Sequence, residues 1–330
     1  MNVNFLKNLW EKDSYAKAIA LAIGEPINLA LPSPMELDAI CNTVYVEAGE
    51  KTWSYQGYDT DAGEILVINT TTGAMIPVKR SPVDDTQITL VGYQSKQEHV
   101  LIDTILSASD QGVIARKKEI IVDNLDKKEV RLVCQAIVNA SSGSFGALNI
   151  QSETLDSGED IYDTIQDAIN KTKDYSDGGA LLVGTVLDNA IDNWDKAKAS
   201  TFNYQVNIKG VNGLLARNNV SLIRVFGTVR ETDGGSLNVL LDAESGILVG
   251  TNSRRKLPKP ITFVRRKIDA QLAAIIGATS ANPSRLILTL PAPVNNSGVP
   301  TWAIGTYAYE QIAVVITDPN RIVTLTDVGA

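Results

Sequence analysis

The chain has 330 residues, 44% of them hydrophobic and 21% charged, and a formal net charge of -8. That is a globular composition, neither disordered nor fibrous, with room for one large core or two ordinary ones. The acidic balance disfavours sequence-wide affinity for DNA or RNA.

Residues 1–42 read as an arm. Phe5, Leu6, Leu9 and Trp10 recur at helical spacing and make a short amphipathic helix. Pro26, Pro32 and Pro34 then favour extended chain. Such a segment has little to pack on within itself and is expected to cross onto another surface. The apolar run from Ala16 to Leu31 is broken by Lys17 and by Gly24, Glu25 and Pro26, so it is no membrane span. Glu11 and Asp13 spoil the basic start of a secretory signal, and a cytosolic chain is expected.

Residues 43–96 read as an extended β-loop of two turn-punctuated arms. Strand-like runs at Glu64–Ile68 and Gln87–Val91 are broken by Gly49, Gly57, Gly63, Gly73, Pro77 and Pro82. An isolated two-stranded ribbon is marginal in water, so one this long is expected to lie on a neighbouring copy of the chain. Trp53, Tyr55 and Tyr58 sit on it in polar surroundings, with Trp53 and Tyr55 on one face. They are either interface anchors or staples that hold the ribbon to its own subunit.

From Asp110 to Ala140 the pattern is helical. Asp126 and Glu129 have the spacing of an N-terminal cap, followed by an apolar stripe of Val130, Val133, Cys134, Ile137 and Val138. A second helix starts at Ser157–Asp160 and carries Ile161, Ile165, Ala168 and Ile169 on one face. A buried strand, Ala180–Val183, precedes a third helix capped by Thr185 and Asp188, with Leu187, Ala190, Ile191 and Trp194 inward. Short strands are then expected at 222–229, 237–241, 246–249, 285–290, 312–316 and 322–326, with a helix at Asp269–Ile276 among them. Strands and helices do not alternate regularly, which is the α+β class.

Motifs for chemistry are missing. His99 is the only histidine and stands in a polar run, so triads, zinc sites and histidine proton shuttles lack their usual residue. No nucleotide-binding, nucleophile-elbow or metalloprotease motif occurs. Asp59–Asp61 and Asp84–Asp85 lack the ligand spacing of a calcium loop and read as turns. Cys41 and Cys134 are far apart and read as two small buried hydrophobes in a reducing compartment. Arg254, Arg255, Lys256, Lys259, Arg265, Arg266 and Lys267 place seven cations within fourteen residues. Three roles compete for them: a solvated loop face, salt bridges to an adjacent subunit, and contact with phosphate or packaged nucleic acid.

In this order of parts the chain resembles the HK97-fold major capsid proteins of tailed double-stranded DNA bacteriophages. Asn42 to Tyr93 is similar to their extended loop, and Gln97 to Ala140 to the loop's return and the spine helix. Ala180 to Trp194 resembles the strand-then-helix opening of the axial domain, and Trp302 to Pro319 the late strands of the peripheral domain. The resemblance implies an α+β fold with an N-terminal arm at 1–42, an extended β-loop at 43–96 and a peripheral domain with spine helix at 97–178. An axial domain follows at 179–284, and a β-rich return to the peripheral domain at 285–330.

By the same resemblance the chain is a structural protein, not an enzyme. It is then expected to self-assemble into hexamers and pentamers of an icosahedral virion around double-stranded DNA. It needs no cofactor or metal, touches no membrane and assembles in the host cytoplasm; scaffolding, portal and decoration proteins are the further partners implied. Candidate inter-subunit contacts are Phe5, Trp10, Trp53, Tyr55, Tyr58, Arg254, Arg255, Lys256, Arg265, Arg266 and Lys267. Lys51 and Lys79 lie on the loop, without an assignable partner for the lysine–asparagine cross-link that some members form. Two other readings stay open: an encapsulin-like cellular compartment shell, and a cytosolic α+β enzyme acting through carboxylates.

Overall fold

The computed structural model describes residues 35–56, 85–95, 98–101, 113–141, 151–154, 160–199, 210–231, 234–253, 257–269, 284–296 and 299–326. A short helix α1 (Met35–Ile40) runs into β1 (Cys41–Val46). Then come β2 (Thr52–Gln56), β3 (Asp85–Thr89), β4 (Val91–Gln94) and β5 (Glu98–Leu101), and the long helix α2 (Val113–Ser141). The middle of the chain supplies β6 (Gln151–Thr154), α3 (Ile161–Thr172), β7 (Gly179–Val183), α4 (Thr185–Ala199), α5 (Val211–Arg217) and β8 (Val220–Arg224). The last part is nearly all strand. It holds β9 (Thr228–Arg230), β10 (Leu237–Val239), β11 (Gly246–Val249), β12 (Ile261–Arg266), β13 (Arg285–Asn296), β14 (Val299–Ile316) and β15 (Ile322–Thr326).

Two sheets organise these elements. The smaller has five strands in the order β6-β15-β11-β7-β8. Its strand β7 reads Gly-Ala-Leu-Leu-Val and is buried throughout, because both faces of the sheet are covered. Leu181 and Val183 face a layer made by Ile165 and Ile169 of α3, Leu187 and Ile191 of α4, and Leu214 and Leu215 of α5. Ala180 and Leu182 face the other way, onto Val133, Cys134 and Ile137 of α2. Period-two alternation thus feeds two cores from one strand.

The larger sheet has six strands and is built around β14. One edge of β14 pairs with β13 through residues 299–310 and then with β12 through residues 312–316. Its other edge pairs with β5 and then β4. Beyond β12, β1 runs parallel to it from Cys41 opposite Ile261 to Val46 opposite Arg266. Helix α2 is 29 residues long, about 43 Å at the usual rise, and lies against both sheets. Ile121 and Leu125 pack on Ile287 and Ala308 of the larger sheet, while the following turns enter the core shared with β7 and β11.

Several expectations change here. Asp126 and Glu129 do not cap a helix: α2 starts thirteen residues earlier, at Val113, and they sit inside it. Val138, placed on the apolar stripe, is exposed. The strand expected at 222–229 is interrupted at Val225–Gly227, where Gly227 takes φ +123, and continues as β9. Strand β12 and helix α5 were not anticipated. The runs Glu64–Ile68 and 270–276 lie outside the described residues.

Candidate functional site

The most unusual chemistry of the described residues is a buried ionic joint between α2 and the larger sheet. Glu310 of β14 stands opposite Arg285 of β13, and Arg265 of β12 stands opposite Ile312. Because β13 and β12 succeed one another along the same edge of β14, this register sets two guanidinium groups side by side on the face that α2 covers. The Arg265 fork donates to both oxygens of Glu129 at 2.6 Å each, and stacks 4.6 Å from the Phe263 ring. Arg285 donates from Nε to Glu310 and from its two terminal nitrogens to Asp126 and Glu129, each at 2.8 Å. Exposure is 0% for Glu129 and Arg265, 1% for Glu310 and 2% for Arg285.

Burial at this depth moves the titrations. Desolvation pushes the Glu310 carboxyl up to about 8, helped by repulsion from Glu129 and opposed by Arg285 and Arg265. Asp126 also moves up, through burial, with Arg285 pulling the other way. Burial weakens the hold of Arg285 on its proton, but Glu310, Glu129 and Asp126 outweigh it and raise its pKa. A second buried pair, Arg321 with Asp318 at 2.8 Å, pins the turn before β15, where Arg321 also donates to the Gly250 and Pro258 carbonyls. Burial likewise pushes the Cys41 thiol up, so that it is an inert core group beside Cys134.

The expected contact residues separate into three groups. Phe5, Trp10, Tyr58, Arg254, Arg255 and Lys256 lie outside the described residues, and of Tyr55 only the backbone, in β2, is described. Trp53 is half-buried and, with Ile88, packs on Val46, Leu90, Val264 and Val315. It acts as a staple that ties the β2–β3 ribbon to its own subunit. The cation cluster divides by strand alternation. Arg265 is no surface cation, for the reasons above. Arg266 is half-buried and donates to the Ala48 carbonyl and Gln311, and Lys267 pairs with Glu47 at 2.5 Å. His99 falls in β5, opposite Gly305 of β14.

Sequence reasoning passed over the ionic joint and one surface. The joint was legible in part, since Glu129 lies one turn from both Leu125 and Val133 on the buried face of α2. The surface is the β9–β10 ribbon, where Leu237 and Val239, together with Phe226 just before it, are exposed. Its inner side is held by Val229 in the core and by Glu231, which bonds Lys128 and Arg131 of α2. Among the described residues no group of histidine, cysteine or carboxylate side chains could hold a metal ion.

No family model matches this chain, and no curated protein matches it by sequence. Solved structures match nearly end to end. A phage-related protein from Bordetella bronchiseptica RB50 is 10% identical with a TM-score of 0.53, over 95% of this chain and 97% of that one. A virus-like particle from Pyrococcus furiosus is 13% identical with a TM-score of 0.50, over 94% and 99%. The capsid of a native GTA particle is 11% identical with a TM-score of 0.51, over 88% and 89%. At such identities the likeness speaks for the fold. The chain has the α+β, HK97-like capsid fold.

Proposed function

We propose that the chain is a structural subunit that self-assembles into the closed shell of a virus particle. The observation that carries this is the coverage of the fold match: 94% of this chain and 99% of the virus-like particle chain are matched. In the finer reading the units are hexamers and pentamers of an icosahedral capsid that encloses double-stranded DNA. The net charge of -8 fits a wall that does not bind its contents tightly. The five-stranded sheet with α3, α4 and α5 is then the axial lobe, α2 the spine, and the larger sheet the peripheral domain.

Mechanism in such a protein is geometric. Neighbouring copies touch through many weak contacts per subunit, and these sum through multivalency. The exposed Leu237 and Val239 on a two-stranded ribbon, with Phe226 just before it, and the chain between β2 and β3 are the surfaces assigned to neighbouring copies. Scaffolding, portal and decoration proteins are its further partners, and the virion is its location after assembly in the host cytoplasm. Replacing residues 57–84 by a short turn keeps the β2–β3 ladder with Trp53 and tests this directly. The expected product is a folded chain that no longer forms particles; intact shells from that variant would refute the role given to the loop.

A further inference from the structure

The ionic joint contains three carboxylates and two guanidinium groups. Asp126 and Glu129 approach from α2, Arg265 from β12, Arg285 from β13 and Glu310 from β14. If all were ionised the joint would hold one negative charge more than its two cations balance, with solvent reaching only Asp126, which is unfavourable. Among the described residues, the other charged groups around the joint do not supply the missing cation. Arg266 is committed to Ala48 and Gln311, and Lys267 to Glu47. Tyr93 of β4, opposite Glu310 in register, is a neutral phenol held up first by its own burial. Lys128 lies over that ring, 5.6 Å from its centroid, and donates to Glu231.

Geometry selects the carboxylate that resolves the imbalance. Glu129 accepts on both oxygens from Arg265 and again from Arg285, so its anion is fully used. Asp126 keeps 28% of its side chain in solvent, where an anion is cheap to hold. Glu310 accepts from Arg285 on Oε2 alone, and its Oε1 is buried without a hydrogen-bond partner. We infer that Glu310 carries a proton in the folded chain, and that this proton is what lets α2 close on the larger sheet, so that losing it loosens that joint first.

The sign of the effect follows from linkage. The folded chain keeps a proton that the unfolded chain releases near pH 4.5, and gives it up only near 8. Within that window the folded state binds more protons, so stability falls as the pH rises. The unfolding constant grows by up to about tenfold per pH unit from this one group. The direction is opposite to that of an ordinary salt-bridged carboxylate such as Glu231, whose bond to Lys128 holds its pKa down.

The test uses the full-length chain. Infrared spectra in heavy water should show the carbonyl stretch of a protonated, buried carboxyl at pH 6 that fades towards pH 9. Glu310→Gln should remove that band and flatten the fall of stability with pH by up to one proton. Hydrogen exchange, corrected for the intrinsic pH dependence, should lose protection along α2 between pH 6 and 9, with β7 and β11 retained. One alternative is an ionised Glu310 whose Oε1 takes a buried water. No protonated band in the wild-type chain would mean that state and would overturn the inference, whether or not Glu310→Gln folds. Uniform loss of protection across both sheets would overturn the local role of the proton.

Discussion

The two sheets are joined to their helices by different kinds of matter. The five-stranded sheet is packed on both faces by aliphatic side chains, with Leu182, Val183, Leu187, Ile191 and Val249 at 1% exposure or less. The six-stranded sheet meets the middle of α2 through Arg265, Arg285, Glu129 and Glu310, at 2% exposure or less. The first joint depends on volume, the second on charge stoichiometry. A hydrophobic contact degrades smoothly as atoms are removed, whereas a buried ion left without its partner carries its whole desolvation cost. α2 passes from one regime to the other along its length.

Breaking the stoichiometry should therefore hurt most. Glu129→Ala takes from Arg265 its two-pronged carboxylate partner and from Arg285 one of its three, and is expected to lower stability by about 3–5 kcal/mol in urea denaturation. Replacing Glu129 and Arg265 together by Met should recover much of that loss, because a matched apolar pair of similar size removes both charges. Leu187→Ala, in the apolar joint, is expected to cost about 3 kcal/mol with no change in the pH dependence of stability. Glu310→Gln should act mainly on the pH slope. Glu231→Gln, at the partly exposed contact with Lys128 and Arg131, should cost about 1 kcal/mol or less, and less again at high salt. A cost for Glu231→Gln equal to that of Glu129→Ala would erase the distinction drawn between buried and surface pairing.

Much of the five-stranded sheet and its helices was legible because its signals are strong and local. The apolar run Ala180–Val183 and the amphipathic faces of α3 and α4 appear at the expected places, since burial on both faces leaves little choice of residue. Strand β12 was not legible, and the reason is physical. Ile261–Arg266 ends in two arginines, and a cation pair reads as surface unless the carboxylates that compensate it are known to be near. Those carboxylates come from positions 136 and 45 residues away in sequence for Arg265 with Glu129 and Arg265 with Glu310. Long-range ionic pairing leaves almost no local trace. The aromatic reading of Trp53 divided for a related reason: alternation shows that a residue has a face, not which body that face meets.

On the proposed function this chain completes its work only as one of many copies. Light scattering with negative-stain imaging of the purified full-length chain tests it most directly. Closed particles of uniform size, with a mass many times that of one chain, are the expected result. A mass of one chain at every concentration and salt tried, with no closed particles in the images, would contradict it.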